Sequence, residues 1–150
     1  MPGLNALLNY HPLFVHFPIA LWLAALLFEA LSLWRKNDEW HRTAVRLLYL
    51  GTLGGLAAAC TGWLAQRSVV PEMDVQAVLA EHKMLMLLTT SFALGLCLYA
   101  FAMRGRFDTG KRRILLAGLV VLAILMTIGA DRGGFLVFHY AQSVNFTTTH

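Results

Sequence analysis

Four long runs of apolar residues, almost free of charge, leave this chain few folds to adopt. They cover about Leu13–Trp34, Ala44–Leu64, Met84–Met103 and Ile114–Ala130, about 17 to 22 residues each. A helix rises about 1.5 Å per residue, so each run reaches across a hydrocarbon core of about 30 Å, the fourth only just. Lipid offers no partner to backbone N–H and C=O groups, so a spanning run must bond to itself as a helix. The fold expected is therefore all-α: an integral membrane four-helix bundle, up-down-up-down, forming a single transmembrane domain over 1–150. The fourth span extends to about residue 140 if Gly133-Gly134 does not end it. Composition agrees, with 58% hydrophobic and only 13% charged residues, about half the charged share of a soluble domain.

Basic residues set the orientation. Arg35, Lys36, Arg42 and Arg46 lie between the first two spans, and Arg104, Arg106, Lys111, Arg112 and Arg113 between the last two. Only Arg67, Lys83 and Arg132 fall on the other side. The side rich in Lys and Arg is cytoplasmic, which puts both termini outside: periplasmic, in a bacterial inner membrane. Trp34, Trp40, Trp63, Tyr10 and Tyr140 sit where an aromatic belt is expected. The net charge of +4 is confined to short loops, which argues against nucleic acid as a partner. No Lys or Arg precedes the first run, which is too long for a leader's apolar core, so it reads as a span.

The remaining punctuation is sparse. Pro71 with Glu72 and Asp74 resembles a helix start, so the third helix is expected to begin outside the membrane. The second span has two stripes of small residues, Gly51-Gly55-Ala59 and Gly54-Ala58-Gly62. They let another helix approach closely or clear room for a flat cofactor. Cys60 and Cys97 fall at different depths, about 6 and about 20 Å from the outer face, so they are expected to be free thiols. No internal repeat is visible, and the polar tail 145–150 is expected to fray.

The histidines carry the functional signal. His11, His16, His82 and His139 lie at the outward ends of spans one, three and four. Imidazoles at one membrane face form a ligand set for haem or a metal ion, and polar groups near hydrocarbon are functional candidates by default. In an up-down-up-down bundle helix one is diagonal to helix three and adjacent to helix four. That pairs His16 with His82 as axial ligands of one haem b, and His11 with His139 around a second. His11 and His16 themselves point about 140° apart. Phe14, Phe17, Leu85, Phe135 and Phe138 are candidates for an apolar slot, and Arg67, Lys83 and Arg132 for propionate pairing. No CxxCH motif is present, so such a haem is held without covalent attachment. His41, among loop charges, reads as solvated, and Glu29 as snorkelling or paired with Arg46. Asp131 reads as an ion-pair partner of Arg132 or an acceptor for an imidazole N–H.

The segment His11-Pro12-Leu13-Phe14-Val15-His16-Phe17-Pro18, the triplet Glu81-His82-Lys83 and the stretch Gly133-Gly134-Phe135-Leu136-Val137-Phe138-His139 resemble motifs of an uncharacterised bacterial membrane family, a domain of unknown function. The likeness covers nearly the whole chain. Tyr140 departs from it, standing where many members have Gly. The resemblance implies a four-helix membrane fold, similar in layout to small b-type membrane cytochromes, and no established activity.

These readings converge on a membrane b-type cytochrome. It holds one haem b, or two, near the outer face and exchanges electrons with a membrane or periplasmic redox protein or with quinol, an oligomer being compatible. The alternatives are a copper or zinc protein using three of the same histidines, and a cofactor-free partner subunit. An electron carrier fits better than a stand-alone enzyme.

Overall fold

The computed structural model describes residues 11–66, 73–104 and 106–140. Arg67, the Pro71-Glu72 helix start, Tyr10 and the tail lie outside the described residues. Helix α1 spans His11–Arg35, α2 Asp38–Ala65, α3 Met73–Ala102 and α4 Thr109–Phe138. All four are long and apolar enough to cross a membrane, and together they form an all-α bundle.

The helices overrun the expected spans, and their ends show why. Between α1 and α2 stand only Lys36 and Asn37. Lys36 takes a left-handed φ of 52°, and the Asn37 N–H donates to the Ser32 carbonyl at 3.0 Å. This is a Schellman closure of α1. The Asn37 side chain then accepts from the N–H groups of Glu39 and Trp40, so α2 starts at Asp38, six residues before its apolar run. Asp108 caps α4 in the same way through the Lys111 N–H. At the far end α4 passes through Gly133-Gly134 and stops at Phe138, two residues short of the expected limit.

Helix α1 packs on α2 and α4, and α3 packs on the same two; among the described residues the diagonal pairs make no close backbone approach. Two helix pairs, the hairpins α1–α2 and α3–α4, thus pack against each other. They are structural repeats with an offset of 71 positions. The helix starts Asp38 and Thr109 are equivalent, as are the caps Asn37 and Asp108. All six buried residues of α4 (Leu115, Leu119, Leu122, Met126, Gly129 and Leu136) fall on buried positions of α2: Ala44, Leu48, Gly51, Gly55, Ala58 and Ala65. Buried Pro18, Trp22, Ala25 and Glu29 correspond to buried Thr89, Ala93, Leu96 and Ala100. This corrects the reading that the chain has no repeat. Few identities mark it, because volume moved between the helices of each hairpin. In the first hairpin the bulk is on α1, where the Trp22 indole lies against Gly51 and Gly55. In the second, α3 has Ala93 at that position and α4 supplies Leu122 and Met126. Of the two small-residue stripes of α2, Gly51 and Gly55 are thus occupied by an indole, while Gly54 lies against Phe17 and Gly62 against His11.

Both cysteines are free, Cys60 exposed and Cys97 half-buried, as their depths imply. Outward faces are apolar throughout, with Leu53, Leu87, Leu98 and Ile124 among the exposed side chains. Lipid solvates such faces as well as the core does.

Candidate functional site: a histidine pair at one end of the bundle

The N-termini of α1 and α3 place His11 and His82 at the same end of the bundle, on diagonal helices. The two residues are equivalent under the 71-position offset. Their ring centroids are 6.5 Å apart and their planes 75° apart, an edge-on arrangement. Each ring lies against a glycine of its own hairpin partner. A Cβ on Gly62 would stand 2.9 Å from His11 Cε1, and one on Gly133 would stand 2.9 Å from His82 Cε1. These two glycines, again 71 positions apart, give the imidazoles the room they occupy.

Hydrogen bonds orient the rings. His82 Nδ1 lies 2.8 Å from the Gly129 carbonyl. A carbonyl only accepts, so Nδ1 carries the proton and Nε2 of the neutral ring keeps its lone pair. His11 Nδ1 lies 3.3 Å from the Thr61 hydroxyl, and the ring also bonds to the backbone of Ala58, the repeat equivalent of Gly129. Burial, reinforced by the neighbouring His82, holds His11 below its ordinary value of 6.5.

The pairing expected from sequence regroups. His82 meets His11 rather than His16. Five positions along α1, His16 is turned away from the diagonal and exposed. His139 does not meet His11 either. It is exposed at the C-cap of α4, stacked on Phe135 at 4.6 Å and edge-on to Tyr140 at 4.9 Å. Phe14, Phe17, Phe135 and Phe138 are exposed, Phe138 at 90%, and form no slot between the paired rings. Lys83 donates to the Gln66 side chain at 2.8 Å. Arg132 pairs with Glu81 at 3.3 Å rather than with its neighbour Asp131.

With centroids 6.5 Å apart, His11 and His82 are close enough to hold one metal centre jointly, each through a ring nitrogen. The bonded Nδ1 atoms are the second partners that metal-ligating histidines need. Among the described residues no group of three or more His, Cys, Asp or Glu side chains is placed to hold a metal ion, so the three-histidine copper or zinc site is not assembled there.

A second ionisable pair was missed by sequence reasoning. Glu29 of α1 and His41 of α2 are buried at 0% and 6% exposure, with Oε2 and Nδ1 2.8 Å apart. His41 is therefore not solvated, and Glu29 pairs with it rather than with Arg46. The signal was the helix start: once α2 begins at Asp38, His41 lies on the inward stripe with Ala44 and Leu48.

Four mutually packed apolar helices with their polar side chains gathered at the two ends define a multi-pass helical membrane protein. The chain belongs to the family described as predicted membrane protein (DUF2231), whose model matches residues 8–145. No curated protein and no solved structure matches it.

Proposed function

We propose that this protein is a small membrane b-type cytochrome with one non-covalent haem b, held by His11 and His82 as axial ligands. The observation that carries the reading is the imidazole pair, 6.5 Å between ring centroids, with His82 Nδ1 held by a backbone carbonyl. Bound there, the haem supplies a one-electron redox centre, and the protein's part is to fix the axial ligands and their surroundings. The Gly129 carbonyl holds the His82 ring in the tautomer that presents Nε2, and Gly62 and Gly133 clear the space both rings need. Lys83 and Arg132, at the same end, are the candidates for propionate pairing and would exchange their exposed partners for it.

The contacts at the two ends support an up-down-up-down order. His11 meets Gly62 and His82 meets Gly133 at one end, while His41 meets Phe107 and Arg112 meets Asp38 at the other. The latter end carries nine of the twelve Lys and Arg residues. This reading places it in the cytoplasm of a bacterium and places the histidine pair and both termini at the periplasmic face. Electrons would then pass between a quinol or membrane dehydrogenase and an exported redox protein. His16 and His139 are apart and exposed, which favours one haem over two.

The test is the absorption spectrum of protein purified after expression with ample haem. A Soret band is expected that is lost in His11→Ala and in His82→Ala and retained in His16→Ala and His139→Ala. Colourless wild-type protein refutes the reading, as does a band that depends on His16 and not on His11.

A further inference from the structure

At the opposite end, the Glu29 carboxyl is fully buried within a membrane-spanning helix. One oxygen, Oε2, bonds to His41 Nδ1 at 2.8 Å. The other, Oε1, is buried and meets no hydrogen-bond partner among the described residues. Ser32, one turn along, donates instead to the Glu29 backbone carbonyl at 2.8 Å. A buried carboxyl oxygen without a donor is costly, and it leaves a place where a proton can be held.

The repeat shows that the fold does not require this pair. The equivalents of Glu29 and His41 in the second hairpin are Ala100 and Arg112, and that hairpin closes on the same register without them. Buried ionisable groups that the architecture can omit mark function rather than packing.

We infer that Glu29 and His41 form a proton-binding site, loaded from the inner end of the bundle, with the Glu29 carboxyl as the acceptor. The inference is independent of the haem reading. His41 stands between Glu29 and water. It lies in the first turn of α2 beside exposed Asp38 and Arg42, and it keeps slight exposure where Glu29 has none. Phe107 covers its ring at 4.3 Å and also lines a cleft of about 440 Å³ together with Ser32, Lys36 and Arg112. The charged groups at this end are Arg35 and Lys36 at the close of α1, Asp38, Glu39, Arg42 and Arg46 on α2, Arg104 and Arg106 after α3, and Asp108, Lys111, Arg112 and Arg113 around the start of α4. Helix α3 contributes the Tyr99 hydroxyl, which donates to the Lys111 carbonyl at 3.1 Å. The transfer balances without any other reactant. Nε2 of His41 takes a proton from hydronium in the aqueous phase, leaving water, Nδ1 releases its own to Oε2, the ring becomes the other neutral tautomer and Glu29 goes from carboxylate to carboxylic acid.

Infrared spectroscopy of the full chain in lipid bilayers, labelled at the glutamate carboxyls with carbon-13, tests this. A label-shifted acid carbonyl band is expected that exchanges late in deuterated water and is lost in Glu29→Gln. His41→Ala should slow that exchange by at least about tenfold, and free imidazole in the buffer should restore the rate. The labelled wild type alone overturns the inference if every glutamate acid band exchanges at once, as exposed carboxyls do. A late-exchanging band that survives Glu29→Gln, or an unchanged rate in His41→Ala, overturns it as well.

Discussion

Replacing Gly133 with Ala tests the histidine pair through a single methyl group. The new Cβ would lie 2.9 Å from His82 Cε1 and 3.2 Å from Nδ1. Carbon atoms settle at about 3.5 Å or more, so the ring must retreat by about 0.6 Å. The His82–Gly129 hydrogen bond, 2.8 Å long, then reaches the limit of useful geometry at about 3.4 Å. Overpacking of this kind costs about 1 to 3 kcal/mol, and the weakened bond adds about 1 kcal/mol. Next door, Gly134 supplies the control. It sits in the same helix, and its Cβ would meet nothing nearer than Phe138 Cδ2 at 4.0 Å. There, Ala should be neutral or should stabilise by up to about 1 kcal/mol, through the loss of glycine's unfolded-state freedom. Thermal unfolding of both variants in one detergent is the assay, with opposite signs expected. A Gly133→Ala variant at least as stable as Gly134→Ala refutes the reasoning.

Two further outcomes follow from the same structure. His11 is held below its ordinary value by burial first and by His82 second, so the unfolded chain binds the proton more readily. Its contribution is fully present above about pH 6.5 and is lost as pH falls toward the lower folded value. The unfolding midpoint should drop on acidification through that window, and less so in His11→Gln, as a pH series of melting curves would show. Asn37→Ala removes the acceptor for two N–H groups at the start of α2 and should cost about 1 kcal/mol by equilibrium unfolding, an unchanged midpoint counting against the cap.

The helices and the bundle's polar ends were legible in the sequence because both rest on the cost of exposing backbone and charge to lipid. Which histidine faces inward was not. A helix bathed in lipid is apolar on all sides, so α1 carries no stripe to tell the face of His11 from that of His16. The repeat was hidden for a related reason. Lipid and core accept the same residues, and bulk passed from Trp22 on α1 to Leu122 and Met126 on α4, which erased identity and kept the register of burial. Glu29 and His41 escaped notice because a span drawn from hydropathy alone begins at Ala44 and leaves His41 in a loop. The Asn37 cap moves the helix start by six residues and turns that side chain inward.

The equivalence of the hairpins also bears on how the chain can be divided. Under the 71-position offset α1 corresponds to α3 and α2 to α4, so the α1–α4 seam corresponds to the α3–α2 seam. Severing the connection between Gln66 and Met73 would leave two half-proteins, each with one member of the histidine pair and the glycine that accommodates it, whose reunion restores both seams together. The pairing of His11 with His82 thus depends on both halves being brought together, one imidazole from each.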